Sequence, residues 1–416
     1  MRVLSVFARV LGLGRAVVED VDLDDGGVIV VHARPKAKER DRCGRCGRRS
    51  PGYDRGEGRR RWRALDLGTI RAYVEAEAPR VRCRDHGVIV ARVPWARHGA
   101  WHTRHFEDQA AWLATQCSKS AITRLMRVSW RGVGGILTRV VADRRARVAD
   151  PLGGLTRIGI DEISYRRGQR YIMGVIDHDS GRLVWAADGR DSTILGEFFT
   201  LLGPERCRRI ALVSCDQGGW VRRAVADHCP EAIVCMDPFH VVRLATDALD
   251  EVRREVWNTA RKRKDAAGAR WLKGARWALW KAPERLTGRQ QAKLSQIQQT
   301  NQRLYRAYLL KEQLRVVFHE PSIAGAIEML DAWIVWAQRS RLPSFVKLAA
   351  TIRADRQAIV ASLTHRLSNA RMEAANTTIR LITRRAFGFH SAEALIALAM
   401  LTLGGLCPPL PGRSLT

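Results

Sequence analysis

The segment RIGIDEISYRRGQRYIMGVIDHDSGRLVWAAD, residues 157–188, decides the fold of the central part of this chain. Apolar runs typical of strands occupy residues 158–160, 171–176 and 183–187. The sequence His-Asp-Ser-Gly at 178–181 is typical of a turn between the last two runs. The segment therefore predicts three successive strands, the last two joined as a hairpin.

The next part of the chain alternates helices and strands. A helix is expected at 193–202, and buried strands at 210–214 and 233–236 flank a helix at 220–228. This order predicts an α/β core with a mixed sheet. From His240 to about Phe389 the pattern is almost entirely helical.

Two acids lie on the predicted strands. Asp161 belongs to the first apolar strand, where an isolated buried charge would be expensive. Asp216 follows the strand at 210–214, at the end where ligands of open α/β sheets gather. Both carboxylates are therefore candidates for one metal site.

A third acid, Glu373, lies on a predicted helix in the segment SNARMEAANTTIR. Asn369, Glu373, Asn376 and Arg380 recur at helical spacing, so they share one polar face. Taken alone, such a face is equally well explained as a solvated surface.

Asp237 is a rival acid, because it directly follows the strand at 233–236 in the segment Met-Asp-Pro-Phe-His. It either binds metal or orients the following helix and supports the site. His240, Asn369 and Asn376 are further candidates for a supporting role.

Acids in such a cluster suit DNA chemistry. Two Mg²⁺ ions about 3.5–4 Å apart activate a nucleophile and stabilise the leaving oxygen of a phosphodiester, and carboxylates hold them. Mn²⁺ can replace Mg²⁺ in this role. Three acids close together would repel one another strongly without the metal.

The N-terminal part carries paired metal ligands. Cys43 and Cys46 form one pair and Cys83 and His86 another, which suits a tetrahedral structural Zn²⁺. Incidental cysteines are the alternative. The alternating residues 16–32, interrupted by Asp-Asp-Gly-Gly, predict a hairpin before this site.

Residues 119–137 have the pattern of a helix-turn-helix. We expect Ser129 to cap its second helix, with Trp130, Arg131 and Arg139 facing DNA. The expected inward positions are Ala121, Leu125, Val128, Val133 and Ile136. An ordinary three-helix bundle is the alternative interpretation.

The composition favours a polyanionic partner. The 416 residues carry a formal charge of +29, which DNA phosphates would neutralise. Arginine enrichment from a GC-rich genome is the alternative source of this charge. We expect no signal peptide, and the apolar stretch 394–403 is too short to span a membrane. A cytoplasmic, nucleoid-associated protein with no membrane partner is expected.

The motifs GIDE, SCD, DPFHV and NARMEAANTTIRLITRRAFGF resemble those of the ISL-three (ISL3) family of DDE transposases. This resemblance implies metal-binding roles for Asp161, Asp216 and Glu373, and zinc binding by Cys43, Cys46, Cys83 and His86. It also implies a multidomain α/β fold with a zinc-binding β domain, a helix-turn-helix and an RNase-H-like core interrupted by a helical insertion. The expected boundaries are 1–98, 99–150, 155–257, 258–355, 356–403 and a tail at 404–416.

The implied function is metal-dependent cutting at terminal inverted repeats and joining of the ends to target DNA, by a homodimer or higher homo-oligomer. Three alternatives stay open: a DNA-binding regulator or domesticated transposase without strand-transfer activity, another RNase-H-like nuclease such as a junction resolvase, and a structural scaffold. Separate N-terminal DNA-binding modules favour recognition of defined ends over the resolvase. Acids on strands argue against the scaffold.

Overall fold

A computed structural model describes residues 3–166, 168, 170–216, 219–389 and 391–413 of the chain. It confirms the predicted multidomain α/β architecture. Among these residues no helix combines the length and the apolar character needed to cross a membrane.

The N-terminal region consists of one short helix and two small sheets. Its elements are α1 (Val3–Val10), β1 (Ala16–Leu23), β2 (Ile29–Pro35), β3 (Gly52–Asp54), β4 (Arg59–Arg63), β5 (Ala72–Glu77), β6 (Arg80–Cys83) and β7 (Gly87–Val90). The strand orders are β1-β2-β5-β4 and β3-β6-β7. Strands β1 and β2 form the predicted hairpin, and Asp24 shapes its turn by accepting hydrogen bonds from the amides of Gly26 and Val28.

Three helices follow: α2 (Arg104–Gln116), α3 (Lys119–Leu125) and α4 (Trp130–Arg145). Ser118 caps α3 by accepting a hydrogen bond from the amide of Ala121. Ser129 caps α4 in the same way, because its hydroxyl accepts from the amide of Gly132 at 3.1 Å. Helix α4 therefore begins where the sequence predicted it.

The expected inward face of α3 was wrong by one position. Ala121 and Leu125 are exposed, whereas Ile122 and Met126 are buried. Because Ser118 caps the helix, the core-facing positions are Ile122 and, four residues later, Met126. On α4, Val133 and Ile136 are buried as expected, and the neighbouring Val128 is partly buried.

The central sheet has five strands. Its elements are β8 (Arg157–Arg166), β9 (Arg170–Asp177), β10 (Leu183–Asp188), α5 (Ser192–Leu202), α6 (Pro204–Cys207), β11 (Leu212–Cys215), α7 (Gly219–His228) and β12 (Ile233–Met236). The order is β10-β9-β8-β11-β12. Strand β11 pairs in parallel with β8 and β12, whereas β9 pairs antiparallel with both β8 and β10. This is the mixed sheet that the sequence predicted.

The helical remainder contains α8 (Pro238–Lys262), α9 (Ala266–Lys273), α10 (Arg276–Trp280), α11 (Gly288–Thr300), α12 (Gln302–Val317), α13 (Ile323–Arg339), α14 (Pro343–Ala354), α15 (Arg356–His365), α16 (Ala370–Arg385) and α17 (Ala392–Leu403). Helices α8 to α14 enclose one hydrophobic core. Helix α8 starts at the sheet and continues into this core, so the boundary expected at residue 258 lies inside a helix. Helix α15 returns to pack against β12.

The three helices α2 to α4 are packed directly on the C-terminal helices α16 and α17. Helices α2 and α4 share a hydrophobic core with α16 and α17. The residues 151–154, which lie between two of the expected domains, are also packed, because Leu152 and the following Leu155 are buried beside the central sheet. The predicted domains are thus joined by continuous apolar contacts rather than by a free connection.

Candidate functional site

The register of the parallel strands creates a row of acids. Ile160 on β8 pairs with Cys215 on β11, which pairs in turn with Met236 on β12. The next residue in each strand or loop is an aspartate: Asp161, Asp216 and Asp237. Three carboxylates that are far apart in the chain therefore meet at the carboxyl end of the parallel pairing.

Asp161 lies within β8 rather than at its end, because β8 continues alongside β9. One carboxylate oxygen accepts a hydrogen bond from the amide of Glu162 at 2.7 Å, and the other accepts from the side chain of Asn376. Burial, and then the nearby Asp216 carboxylate, raise the pKa of Asp161 to about 7. A cation at this position would offset the cost of ionising the buried Asp161 carboxylate beside Asp216.

Glu373 reaches the row from α16, which lies across β8 and β9. Gly174 on β9 lies beneath this helix, and a Cβ atom there would lie 2.8 Å from Met372 Cε, so the Met372 side chain would have to shift. Arg371 also ties the start of the helix to the carbonyl of His178. Burial and then the Asp237 carboxylate raise the pKa of Glu373.

His240 lies between two of the aspartates. Its Nδ1 is 2.9 Å from Asp216 Oδ1 and 3.0 Å from Asp237 Oδ2. Burial lowers the pKa of His240, but the two carboxylates outweigh it and raise that pKa to about 10. Ligand atoms of Asp237, His240 and Glu373 all lie within 4.8 Å of one another.

Asp237 is almost completely buried, and both of its oxygens accept hydrogen bonds. Oδ1 accepts from the amide of Asn369 at 2.9 Å, and Oδ2 accepts from the amide and Nδ1 of His240 at 3.3 and 3.0 Å. Asp237 therefore caps α8 and holds the start of α16 at the same time. These contacts suit a supporting role, and the grouping of Asp237 with His240 and Glu373 suits metal binding.

The sequence analysis named Asn369 as a supporting residue but missed His178 and Ser214, which form a buried polar chain with it. His178 Nε2 lies 2.7 Å from Ser214 Oγ, and Ser214 donates to Asn369 Oδ1 at 2.7 Å. All three residues are at most 4% exposed. Gly159 leaves the space for this chain, because a Cβ there would lie 2.9 Å from His178 Nε2. The pairing of His178 with Ser214 carries no signal in the sequence, since the two residues belong to different loops and strands.

The donor set fits a hard divalent cation. Among the described residues, the buried Asn376 Oδ1 has no hydrogen-bond partner, and the same side chain donates to Asp161. Unpaired buried oxygens are costly, and Mg²⁺ prefers oxygen ligands. These residues could hold such a cation at the end of the parallel strands.

The four predicted zinc ligands form one cluster, with ligand atoms within 4.8 Å of one another. The distances are 3.7 Å for Cys46 Sγ to Cys83 Sγ, and 3.7 and 3.6 Å from His86 Nδ1 to Cys43 Sγ and Cys83 Sγ. A tetrahedron with zinc–sulfur bonds of about 2.3 Å has edges of roughly this length. A hydrogen bond from His86, aided by backbone amides, lowers the pKa of Cys83 to about 6. The thiolate form that binds zinc is thereby favoured.

The three predicted DNA-contacting residues of α4 differ in their surroundings. Arg131 is exposed, and Trp130 is half-buried with Lys119 Nζ 4.7 Å from its ring centre. Arg139 does not project freely as expected, because its guanidinium donates to the fully buried Glu107 at 2.8 and 2.6 Å. The need to neutralise Glu107 explains this difference.

Comparison with protein families gives three matches along the chain. Residues 39–86 match a zinc finger of transposases IS204, IS1001, IS1096 and IS1165. Residues 91–141 match the helix-turn-helix domain of transposase family ISL3, and residues 158–399 match the transposase domain of the same family.

Whole-chain relatives agree with these matches. The chain is 53% identical to the transposase for insertion sequence element IS1557 of Mycobacterium tuberculosis, over 99% of this chain and 98% of the relative. It is 26% identical to the transposase for insertion sequence element IS1001 of Bordetella parapertussis, over 89% of this chain and 90% of that protein.

Proposed function

Because this chain belongs to the ISL3 family of insertion-sequence transposases, we propose that it binds the terminal inverted repeats of its element and catalyses metal-dependent cutting and strand transfer. The observation that supports this chemistry most directly is the row of acids where the parallel pairing of β8 with β11 ends, which Glu373 approaches from α16. We assign metal binding to Asp161, Asp216 and Glu373.

The metal proposed here is Mg²⁺, with Mn²⁺ as a substitute. When bound, it would stabilise charge on the attacking and leaving oxygens of the phosphodiester. The protein's contribution is to hold oxygen donors in place. Asn376 orients the Asp161 carboxylate, and the chain from His178 through Ser214 and Asn369 holds the start of α16.

His240 and Asp237 act as positioning residues in this proposal. Asp237 connects the amide of Asn369 with the first turn of α8, so it fixes two helices relative to the sheet. His240 neutralises the charge between Asp216 and Asp237 in the metal-free protein. Both roles keep Glu373 close to the strand acids without requiring either residue to touch DNA.

The N-terminal modules are proposed to provide end recognition. We assign a structural Zn²⁺ to Cys43, Cys46, Cys83 and His86, and DNA contacts to Trp130 and Arg131 at the start of α4. Arg131 is exposed and has no ion pair within the described part of the chain. Its replacement by alanine should weaken binding by about 1–3 kcal/mol if it contacts a base edge.

The test is cleavage of a labelled duplex that carries one end of the element, with binding measured in parallel. Asp161→Ala, Asp216→Ala and Glu373→Ala should each abolish cutting and joining while leaving DNA binding intact. Removing a negative charge near DNA does not weaken phosphate attraction, so binding provides the control for folding. Ca²⁺ should support complex formation without cutting, because it does not hold the tight octahedral geometry that Mg²⁺ demands.

Two results would contradict the proposal. Glu373→Ala as active as the wild type would remove Glu373 from the site. A wild-type protein that binds the ends but never cuts them in Mg²⁺ or Mn²⁺ would instead favour the regulator without strand-transfer activity.

A further inference from the structure

A large basic cleft lies between the zinc-binding region and the C-terminal half of α4. Its volume is about 810 Å³, and eight of its lining residues are arginines. One wall contains the loop around Cys46 together with Arg92, and the opposite wall contains Arg139 and Arg147 of the α4 side. None of the metal-binding residues of the central sheet lines this cleft.

Four of the arginines are held in an ion-pair network. Arg97, Arg104, Arg139 and Arg147 share only three carboxylates, those of Glu107, Asp108 and Asp143. The network fixes the guanidinium groups in place and still leaves more positive than negative charge. It therefore forms a rigid basic floor rather than a neutral one.

The other four arginines are almost uncompensated. Within the described residues, Arg45, Arg60 and Arg92 have no carboxylate at ion-pair distance, and Arg15 reaches Glu39 only at 3.7 Å. Arg60 is the most confined, because its Nε is buried without a hydrogen-bond partner and Trp101 stacks over it at 3.9 Å. Desolvated cations of this kind are stabilised by an anion.

The cleft shares the lining residue Arg139 with a cavity at the predicted DNA-contacting end of α4. A second cavity of about 730 Å³ lies beside Trp130 and Arg131, and Arg139 lines both cavities. From Arg131 to Arg145, the last residue of α4, the helical rise of 1.5 Å per residue gives a span of about 21 Å. Duplex DNA carries one charge per roughly 1.7 Å of axis. A single duplex lying along α4 would therefore present phosphates to both cavities.

We propose that this cleft binds the phosphate backbone of the duplex whose bases are contacted by the start of α4. The inference rests on the proposed function, because the ligand is DNA in both. It adds a contact with the phosphate backbone that does not depend on the base sequence and that the zinc-binding region and the helix-turn-helix share. A small anion would need only one or two guanidinium groups. Charges distributed on opposite walls suit an extended polyanion better.

The test variant is Arg45→Ala with Arg92→Ala in the full-length chain, since neither residue is part of an ion pair. The probes are two fluorescein-labelled duplexes of about 30 base pairs, roughly three helical turns, one with the end sequence and one of arbitrary sequence. We expect binding to both duplexes to fall by roughly 10- to 100-fold near 0.1 M salt. The slope of log K against log salt should decrease by about two.

Arg45→Lys with Arg92→Lys should bind nearly as well as the wild type, because the proposed contact depends on charge. Arg208→Ala with Arg209→Ala is the matched control. These exposed arginines precede β11, so they lie at the opposite end of that strand from Asp216. Their replacement should leave both affinities unchanged. Zinc content and the thermal midpoint show whether the alanine variant retains its fold.

Wild-type affinity and salt slope in the folded Arg45 and Arg92 alanine variant would overturn the inference. A loss confined to the end sequence would also overturn it, since it would indicate base contacts instead. If the alanine variant loses zinc, the lysine variant decides: a reduced affinity with normal zinc content and a retained fold contradicts a contact based on charge. A wild-type protein that binds neither duplex would contradict the proposed function itself.

Discussion

Replacement of Asp237 by alanine separates a positioning residue from a metal ligand. The carboxylate is 1% exposed and accepts hydrogen bonds from Asn369 and His240. Its loss leaves the buried Asn369 amide unsatisfied, which costs about 1–3 kcal/mol. Loss of the cap on α8 costs about 0.5–2 kcal/mol more. The total of roughly 1.5–5 kcal/mol should lower the thermal midpoint measurably without unfolding the chain.

The effect on catalysis follows from the same contacts. Without Asp237 the start of α16 loses an anchor, and Glu373 is no longer held close to the strand acids. A displacement of about 1 Å can cost roughly 100-fold in rate. We therefore expect reduced but measurable cutting, with the Mg²⁺ concentration for half-maximal rate close to that of the wild type.

The assay is cleavage of labelled end DNA over a range of Mg²⁺ concentrations, with Glu373→Ala as the inactive reference. Asp237→Asn should be less impaired than Asp237→Ala, because its amide oxygen still accepts from the Asn369 amide. A metal ligand would behave differently, with complete loss of activity or a shift of about 10-fold or more in the Mg²⁺ requirement. Either result with an unchanged thermal midpoint would refute the positioning role.

Three further perturbations test other parts of the structure. Cys43→Ser should reduce bound zinc from one ion per chain to nearly none and destabilise residues 39–86, and elemental analysis showing unchanged zinc would contradict the assigned ligand set. Raising the pH from about 6 to about 8 should strengthen Mg²⁺ binding, because Asp161, with a pKa of about 7, loses its proton. Over the same range the metal-free protein should become less stable, because the pKa of Asp161 is higher in the folded than in the unfolded chain. A Mg²⁺ requirement independent of pH would argue against this acid as a ligand. Glu107→Gln should lower the free energy of unfolding by about 3 kcal/mol, because it leaves Arg97 and Arg139 without their buried partner, whereas a calorimetric change below about 1 kcal/mol would show that the network adjusts.

The sequence alone predicted the local elements and the zinc ligands. Apolar runs, turn residues and Ser129 indicated the strands, the hairpins and the start of α4, because each depends on residues that are close in the chain. The pairs at Cys43 and Cys83 gave the metal-binding pattern by spacing. Strand positions made Asp161 and Asp216 candidates for one metal site, and the resemblance to a known family added Glu373 to them; the catalytic roles of all three stay a proposal.

The tertiary structure decided how distant residues combine. Asp237 joins the row of acids because the register aligns Met236 with Cys215, and it contacts Asn369 across 132 positions of the chain. Arg139 was expected to face DNA freely, but its guanidinium is held in an ion pair with the buried Glu107. Neither contact has a periodic signature, since both arise from the packing of separate elements. Local patterns therefore predict which residues can react, whereas long-range packing decides which of them meet.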